Sequence, residues 1–277
     1  MLNCKAAGVL LYGLGCMALL IFGCYEDRIG CLDPDATNYD LQADQACPDC
    51  CSYPTLSLRV SPLWDDNAVV TGSRYPYGTA GDSFTLVRFR YYLGDLRLQG
   101  QSTELPDPLR PVELETLVSG DTVTVTLNGN YLLGTSAVTT TQIGSIRTGT
   151  VPLTGLSGTY GLPDRYRTVI PFLAPSGDAL RTQPGLLNFN DGQGYVQSRL
   201  EYTLVPGGDT LSVVSYGSQP FLLDFGAAIL PERGANARID LVARLDELIA
   251  PLDLSGSPEE ISVGLGRTAA FLGFDER

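Results

Sequence analysis

Residues 196–204, "VQSRLEYTL", decide the fold. Val196, Leu200, Tyr202 and Leu204 fall on one side of an extended chain and Gln197, Arg199, Glu201 and Thr203 on the other. That period of two marks a half-buried strand. The same alternation recurs outward in both directions. Leu56, Leu58 and Val60 alternate with Ser57 and Arg59, Val87, Phe89 and Tyr91 with Arg88 and Arg90, and Val123, Val125 and Leu127 with threonines. Further strands are expected at 166–173, 210–215, 221–225 and 238–245, with Asn128-Gly129, Asp191-Gly192 and Gly207-Gly208-Asp209 supplying turn chemistry between strands. Only Asp246 to Ala250 suggests a helical turn, which Pro251 ends. About 220 residues of such strands predict an all-β domain, one antiparallel, immunoglobulin-like β-sandwich over residues 54–277.

The chain of 277 residues contains no histidine. Its single lysine is Lys5, and both methionines, Met1 and Met17, precede residue 24. A chain beginning at Cys24 therefore lacks His, Lys and Met altogether. This removes Ser-His-Asp and Cys-His activation of a nucleophile. It also removes imidazole-held zinc or type-1 copper, Schiff bases and the P-loop lysine. Gly81-Asp82-Ser83-Phe84 is similar to the nucleophile block of GDSL-type lipases, which need a downstream histidine, so it reads here as a turn into a strand. Carboxylate-only glycoside hydrolysis passes this filter but singles out no pair among the 31 acids. The expectation is a protein that is not an enzyme. Without Lys5, 17 of the 18 basic residues face 31 acidic ones, a net charge of −14 that disfavours nucleic acid and anionic lipid as partners.

Lys5 followed by the uncharged run Ala6 to Phe22 is an export signal. At about 17 residues the run is marginal for a membrane-spanning helix. It ends in Ile21-Phe22-Gly23-Cys24, which resembles a bacterial lipobox. Residues 1–23 are thus read as a lipoprotein signal peptide and Cys24 as the lipidated N-terminus that attaches the protein to the membrane. Glu26 and Asp27 follow at once, where a cytoplasmic-side anchor would carry basic flanks. Tyr25-Glu26-Asp27 is similar to the acidic signal that sends some lipoproteins to the outer leaflet. The expected location is the outer membrane, at the cell surface, with other cell-envelope proteins as partners.

Residues 24–53 are read as a stalk module rich in Cys and Asp. In an exported chain Cys31, Cys47, Cys50 and Cys51 favour disulfides over free thiols. Four cysteines allow three pairings. A vicinal Cys50–Cys51 bond is strained, so Cys31 is expected to bridge to Cys47, Cys50 or Cys51 while the other two close a short loop. A bridge across about 16 to 20 residues stabilises by roughly 3 kcal/mol in the chain-entropy model. The zinc alternative takes Cys47-Pro48-Asp49-Cys50 as a knuckle, but a second CxxC is missing. Asp33, Asp35, Asn38 and Asp40 are spaced to bring oxygens around a hard cation, and calcium is the metal this donor set suits. The plainer reading is Asx turns in a solvated loop. A second oxygen cluster, Asn188, Asn190 and Asp191, lies at the Asn-Asp-Gly turn.

Gly30-Cys31, Asp33-Pro34, Ala36, Asn38-Tyr39 and the closing Cys50-Cys51-x-Tyr53 resemble a cysteine-bounded module of surface and secreted proteins from gliding, polymer-degrading bacteria. The resemblance implies a disulfide-held spacer without enzymatic activity. Beyond it, Ala80-Gly81-Asp82-Ser83-Phe84 running into Phe89-Arg90-Tyr91-Tyr92-Leu93-Gly94-Asp95-Leu96-Arg97-Leu98 is similar to the opening of the MbnP-like domain, a family named after a copper-binding partner of methanobactin systems. The blocks Leu187 to Tyr195 and Pro220 to Gly226 match its later aromatic blocks more loosely. The resemblance implies a copper-handling β-sandwich. Where that family places tryptophans this chain has Leu187 and Phe189, and where it places a histidine it has leucine. Copper(I) requires thiolate, thioether or imidazole, and residues 54–277 contain none of these. Trp64, the only tryptophan, is expected to pack in the core or at its rim. Two functions remain: a non-catalytic binding or assembly subunit of an envelope complex, or a metal-handling lipoprotein with calcium in place of copper.

Overall fold

The structure, a computed structural model, describes residues 26–47, 49–78, 81–101, 103–147, 149–183, 188–190 and 192–275. The chain divides into two compact units, the described residues of the smaller falling within 26–33 and 38–51 and those of the larger within 34–37 and 52–275. Cys24 and the segment read as a signal lie outside the described residues.

In the smaller unit two short parallel strands, β1 (Ile29–Gly30) and β2 (Gln45–Ala46), pair residue for residue. Disulfides join Cys31 to Cys51 and Cys47 to Cys50, with Cα atoms 5.1 and 5.6 Å apart. This is one of the pairings left open by the sequence, and it avoids the vicinal bond. Cys31 is fully buried, and the backbone N–H of Cys47 donates to the Gly30 carbonyl at 3.0 Å.

The larger unit is a sandwich of two sheets. The eight-stranded sheet contains β5 (Arg74–Tyr77), β6 (Asp82–Gly100), β7 (Thr103–Glu104), β10 (Leu132–Thr135), β12 (Leu153–Tyr160), β15 (Ser198–Thr203), β16 (Leu211–Ser215) and β17 (Gln219–Ile229). Its spine runs β16-β15-β6-β12-β17, and the 19-residue β6 also carries β5, β7 and β10. The five-stranded sheet has β11 (Thr139–Ser145), β3 (Thr55–Trp64), β18 (Ala237–Arg244) and β19 (Leu272–Phe274) in that order, with β4 (Asn67–Ala68) on β3. Leu56, Leu58 and Val60 from one sheet and Phe84, Leu86 and Phe89 from the other share one core, as the alternation demands. Trp64 belongs to this core, its ring 4.5 Å from that of Tyr75 and 5.7 Å from that of Phe84. Two small pairs complete the strands, β8 (Pro111–Val118) with β9 (Asp121–Asn128) and β13 (Phe189–Asn190) with β14 (Gly194–Tyr195).

Three local expectations are corrected and one turn is added. β18 runs parallel to β3, from Ala237↔Leu56 to Arg244↔Leu63, so the sandwich is not wholly antiparallel. Such neighbours need a long crossover, here most of the domain. The strand expected at 166–173 is instead two 3-10 turns, Asp164–Tyr166 and Pro171–Leu173, because Pro163 and Pro171 fix φ and supply no N–H. The hairpin turn between β8 and β9 is Ser119-Gly120, both at positive φ (54° and 94°), a turn not singled out in the sequence, while Asn128-Gly129 leads from β9 towards β10. Finally, two helices are present among the described residues, α1 (Leu245–Ile249) as expected and α2 (Pro258–Leu265), which was not expected.

Candidate functional site

The polar side of "VQSRLEYTL" does not face open solvent. Glu201 is 8% exposed and is held by Arg199 at 2.8 Å and Arg88 at 3.4 Å, across the β15–β6 register. The Gln197 side chain accepts from Leu162 N–H at 2.6 Å. A second buried cluster covers this side of the large sheet: Tyr92, Leu114, Tyr131, Leu162, Tyr166, Val169, Ala174, Leu180 and Tyr195. It contains four tyrosines, and each hydroxyl meets a specific partner.

Asp178 organises the cluster. Its side chain is 6% exposed, its Oδ1 accepts from Tyr131 O–H and from Leu180 N–H, both at 2.9 Å, and its Oδ2 lies 3.4 Å from Arg110 Nη2. Arg110 also stands 5.0 Å above the Tyr131 ring and donates through Nε to the Gly129 carbonyl at 2.8 Å. Tyr166 donates to the Asn128 carbonyl at 2.5 Å, and Arg165, ion-paired with Asp95, lies 4.7 Å over its ring. Tyr92 donates to Ala179 O at 2.8 Å and Tyr195 to Leu180 O at 2.9 Å. Burial pushes the hydroxyls of Tyr92, Tyr131 and Tyr195 well above the ordinary tyrosine value, and the neighbouring Asp178 charge adds to this in all three.

Asn188, the first described residue of the loop matched to the aromatic block, is 2% exposed. Its Nδ2 donates to Tyr92 Oη at 3.1 Å and Arg181 O at 2.9 Å, and its Oδ1 accepts from Gln183 N–H at 3.1 Å. Three of its hydrogen-bonding positions are thereby filled by protein. Phe189 packs edge-on against Tyr195 with ring centres 5.5 Å apart. Leu187 and Asp191 lie outside the described residues. Beside this loop Pro163, Tyr166, Arg167, Gln193, Tyr195 and Tyr216 line a pocket of about 20 Å³, room for about one water.

The expected calcium residues stand in other company. Asp35 pairs with Arg233 at 3.3 Å and Asp40 with Arg28 at 3.0 Å, while Asn38 donates to Cys50 O at 2.7 Å. Asp40 also accepts from Gln42 N–H at 2.9 Å, an Asx turn. Among the described residues no three Asp, Glu or Cys side chains gather where a metal could be held. In the second oxygen cluster, Asn188 is occupied as above and Asn190 is exposed.

A family model described as MbnP matches residues 53–262. The chain belongs to the MbnP family. Among solved structures it is similar to MbnP from Methylosinus trichosporium, at 12% identity with a TM-score of 0.44, covering 77% of this chain and 87% of that one. No curated protein matches it. In this MbnP-family domain the residues missed by the sequence reading are Asp178, Tyr131, Arg110, Tyr166 and Arg165. Pro175-Ser176-Gly177-Asp178 carries turn chemistry that would flag Asp178, but Tyr131 is 47 residues away from it in sequence and no local pattern joins the two.

Proposed function

We propose that this protein is a non-catalytic binding or assembly lipoprotein of the bacterial cell envelope, held at the outer membrane through Cys24, with a disulfide-closed segment ahead of an MbnP-family β-sandwich. One observation carries this reading: the domain keeps the family's sequence signature but offers no Cys, His or Met from residue 54 onward. In the loop matched to the aromatic block two polar side chains are spent on the protein itself, Asn188 on Tyr92 and Tyr195 on the Leu180 carbonyl. What such a domain presents to the outside is shape and an acidic surface, suited to recognition. Fractionation tests the anchor: the intact protein should partition with membranes and carry the mass of a diacylated Cys24, and Cys24→Ala should release it. Attachment and mass unchanged in that variant would refute the reading. In-cell cross-linking should then join the domain to a discrete envelope protein, and only monomer at all cross-linker lengths would count against assembly.

Family membership favours a second reading, a metal-handling lipoprotein. The oxygen donors available suit calcium or another hard cation rather than copper. Metal analysis of the purified protein separates the two, since saturable, stoichiometric uptake supports the second and its absence the first.

A further inference from the structure

The two disulfides of the smaller unit differ in kind. Cys31–Cys51 spans 20 positions, and its Cys31 end is 1% exposed. Cys47–Cys50 spans three, with Cys50 exposed and Cys47 partly so. The long bridge, the β1–β2 pairing, the Arg28–Asp40 ion pair and the donation from Asn38 to the Cys50 backbone carbonyl define the unit, and none of them needs the Cys47 or Cys50 sulfur. Closing so short a loop removes less chain entropy than closing the long one. A second, short, accessible bridge beside a sufficient one is poorly explained as a staple.

We propose that Cys47–Cys50 is a thiol–disulfide exchange site that accepts electrons from an external dithiol while Cys31–Cys51 stays closed. A donor thiolate attacks the exposed Cys50 Sγ, the Cys47–Cys50 bond breaks, and Cys47 leaves as a thiolate that takes up a proton. The donor's second thiolate then attacks the donor sulfur of the mixed disulfide and releases Cys50. Two thiols form on this chain, and the donor leaves as a disulfide, oxidised by two electrons. This inference goes beyond the function proposed above and does not depend on membrane anchoring.

The test uses the full chain, oxidised, under native conditions. Graded dithiothreitol followed by alkylation and peptide mass spectrometry should label Cys47 and Cys50 at least tenfold faster than Cys31 and Cys51, and glutathione disulfide should reverse it. Reduced thioredoxin with its second active-site cysteine changed to serine should accumulate as a mixed disulfide at Cys50. Opening of all four cysteines together, earlier opening of Cys31–Cys51, or no thioredoxin conjugate would each overturn the proposal. The Cys47→Ser/Cys50→Ser variant should keep its long bridge and its circular dichroism and form no conjugate; a conjugate formed there instead would place the exchange elsewhere.

Discussion

Gly134 on β10 lies directly opposite Tyr91 on β6, and the Tyr91 ring fills the space a side chain would take. A Cβ on Gly134 would overlap Tyr91 Cζ and stand 2.6 Å from Cε2 and 2.8 Å from Cε1. The ring is 1% exposed, stacked on Phe89 with centres 5.3 Å apart and met edge-on by Phe271 at 5.5 Å, so it has little freedom to yield. Gly134→Ala should therefore destabilise by about 1 to 3 kcal/mol through overpacking, seen as a lower midpoint in chemical denaturation at unchanged slope. A variant as stable as the parent would show that the β10–β6 contact is not close-packed.

Asp178 is expected to hold the outer cluster together. Asp178→Ala leaves Tyr131 O–H and Leu180 N–H without their acceptor and Arg110 without its partner, a loss of about 3 kcal/mol. Asp178→Asn keeps an acceptor at Oδ1 and should lose less. A double-mutant cycle with Tyr131→Phe measures the coupling directly. Additive losses would mean that the Asp178–Tyr131 hydrogen bond contributes nothing of its own.

α2 starts at a complete capping box: Ser257 Oγ accepts from Glu260 N–H at 3.3 Å and Glu260 Oε2 accepts from Ser257 N–H at 3.4 Å. Ser257→Ala should cost about 1 kcal/mol, read from thermal or chemical unfolding. An unchanged midpoint would mean that Pro258 alone sets the start of the helix.

That helix also shows what the sequence made legible. Ser257-Pro258-Glu259-Glu260 ahead of Ile261 and Leu265 is a helix start written in four residues, overlooked beside so many strands. The strands at 56–60, 87–91, 196–204 and 238–245 could be read because each buries one face more than the other, and alternation records that difference. β12, "LTGLSGTY", could not, because it lies between β6 and β17 and its glycines pass close to other backbone, with Gly158 opposite Phe221 and Gly155 opposite Asp224. The second cluster was invisible for another reason. Its tyrosines come from 92, 131, 166 and 195 and are joined by Asp178, and only the folded sheet brings them together.

Those buried tyrosines set the behaviour of the protein in base. Burial raises the hydroxyls of Tyr91, Tyr92, Tyr131, Tyr160 and Tyr195 far above their ordinary value near 10. Each is neutral in the folded chain where the unfolded chain would already be ionised, so the unfolded state binds fewer protons above that value. Stability is therefore complete below about pH 10 and falls as pH rises beyond it, with each such tyrosine adding up to about 1.4 kcal/mol per pH unit to the slope. Five acting together should unfold the domain cooperatively in strong base. In an ultraviolet titration these five should ionise only as the circular dichroism collapses. Ionisation of these five with the fold intact would show that their hydroxyls are reached by water in the native state.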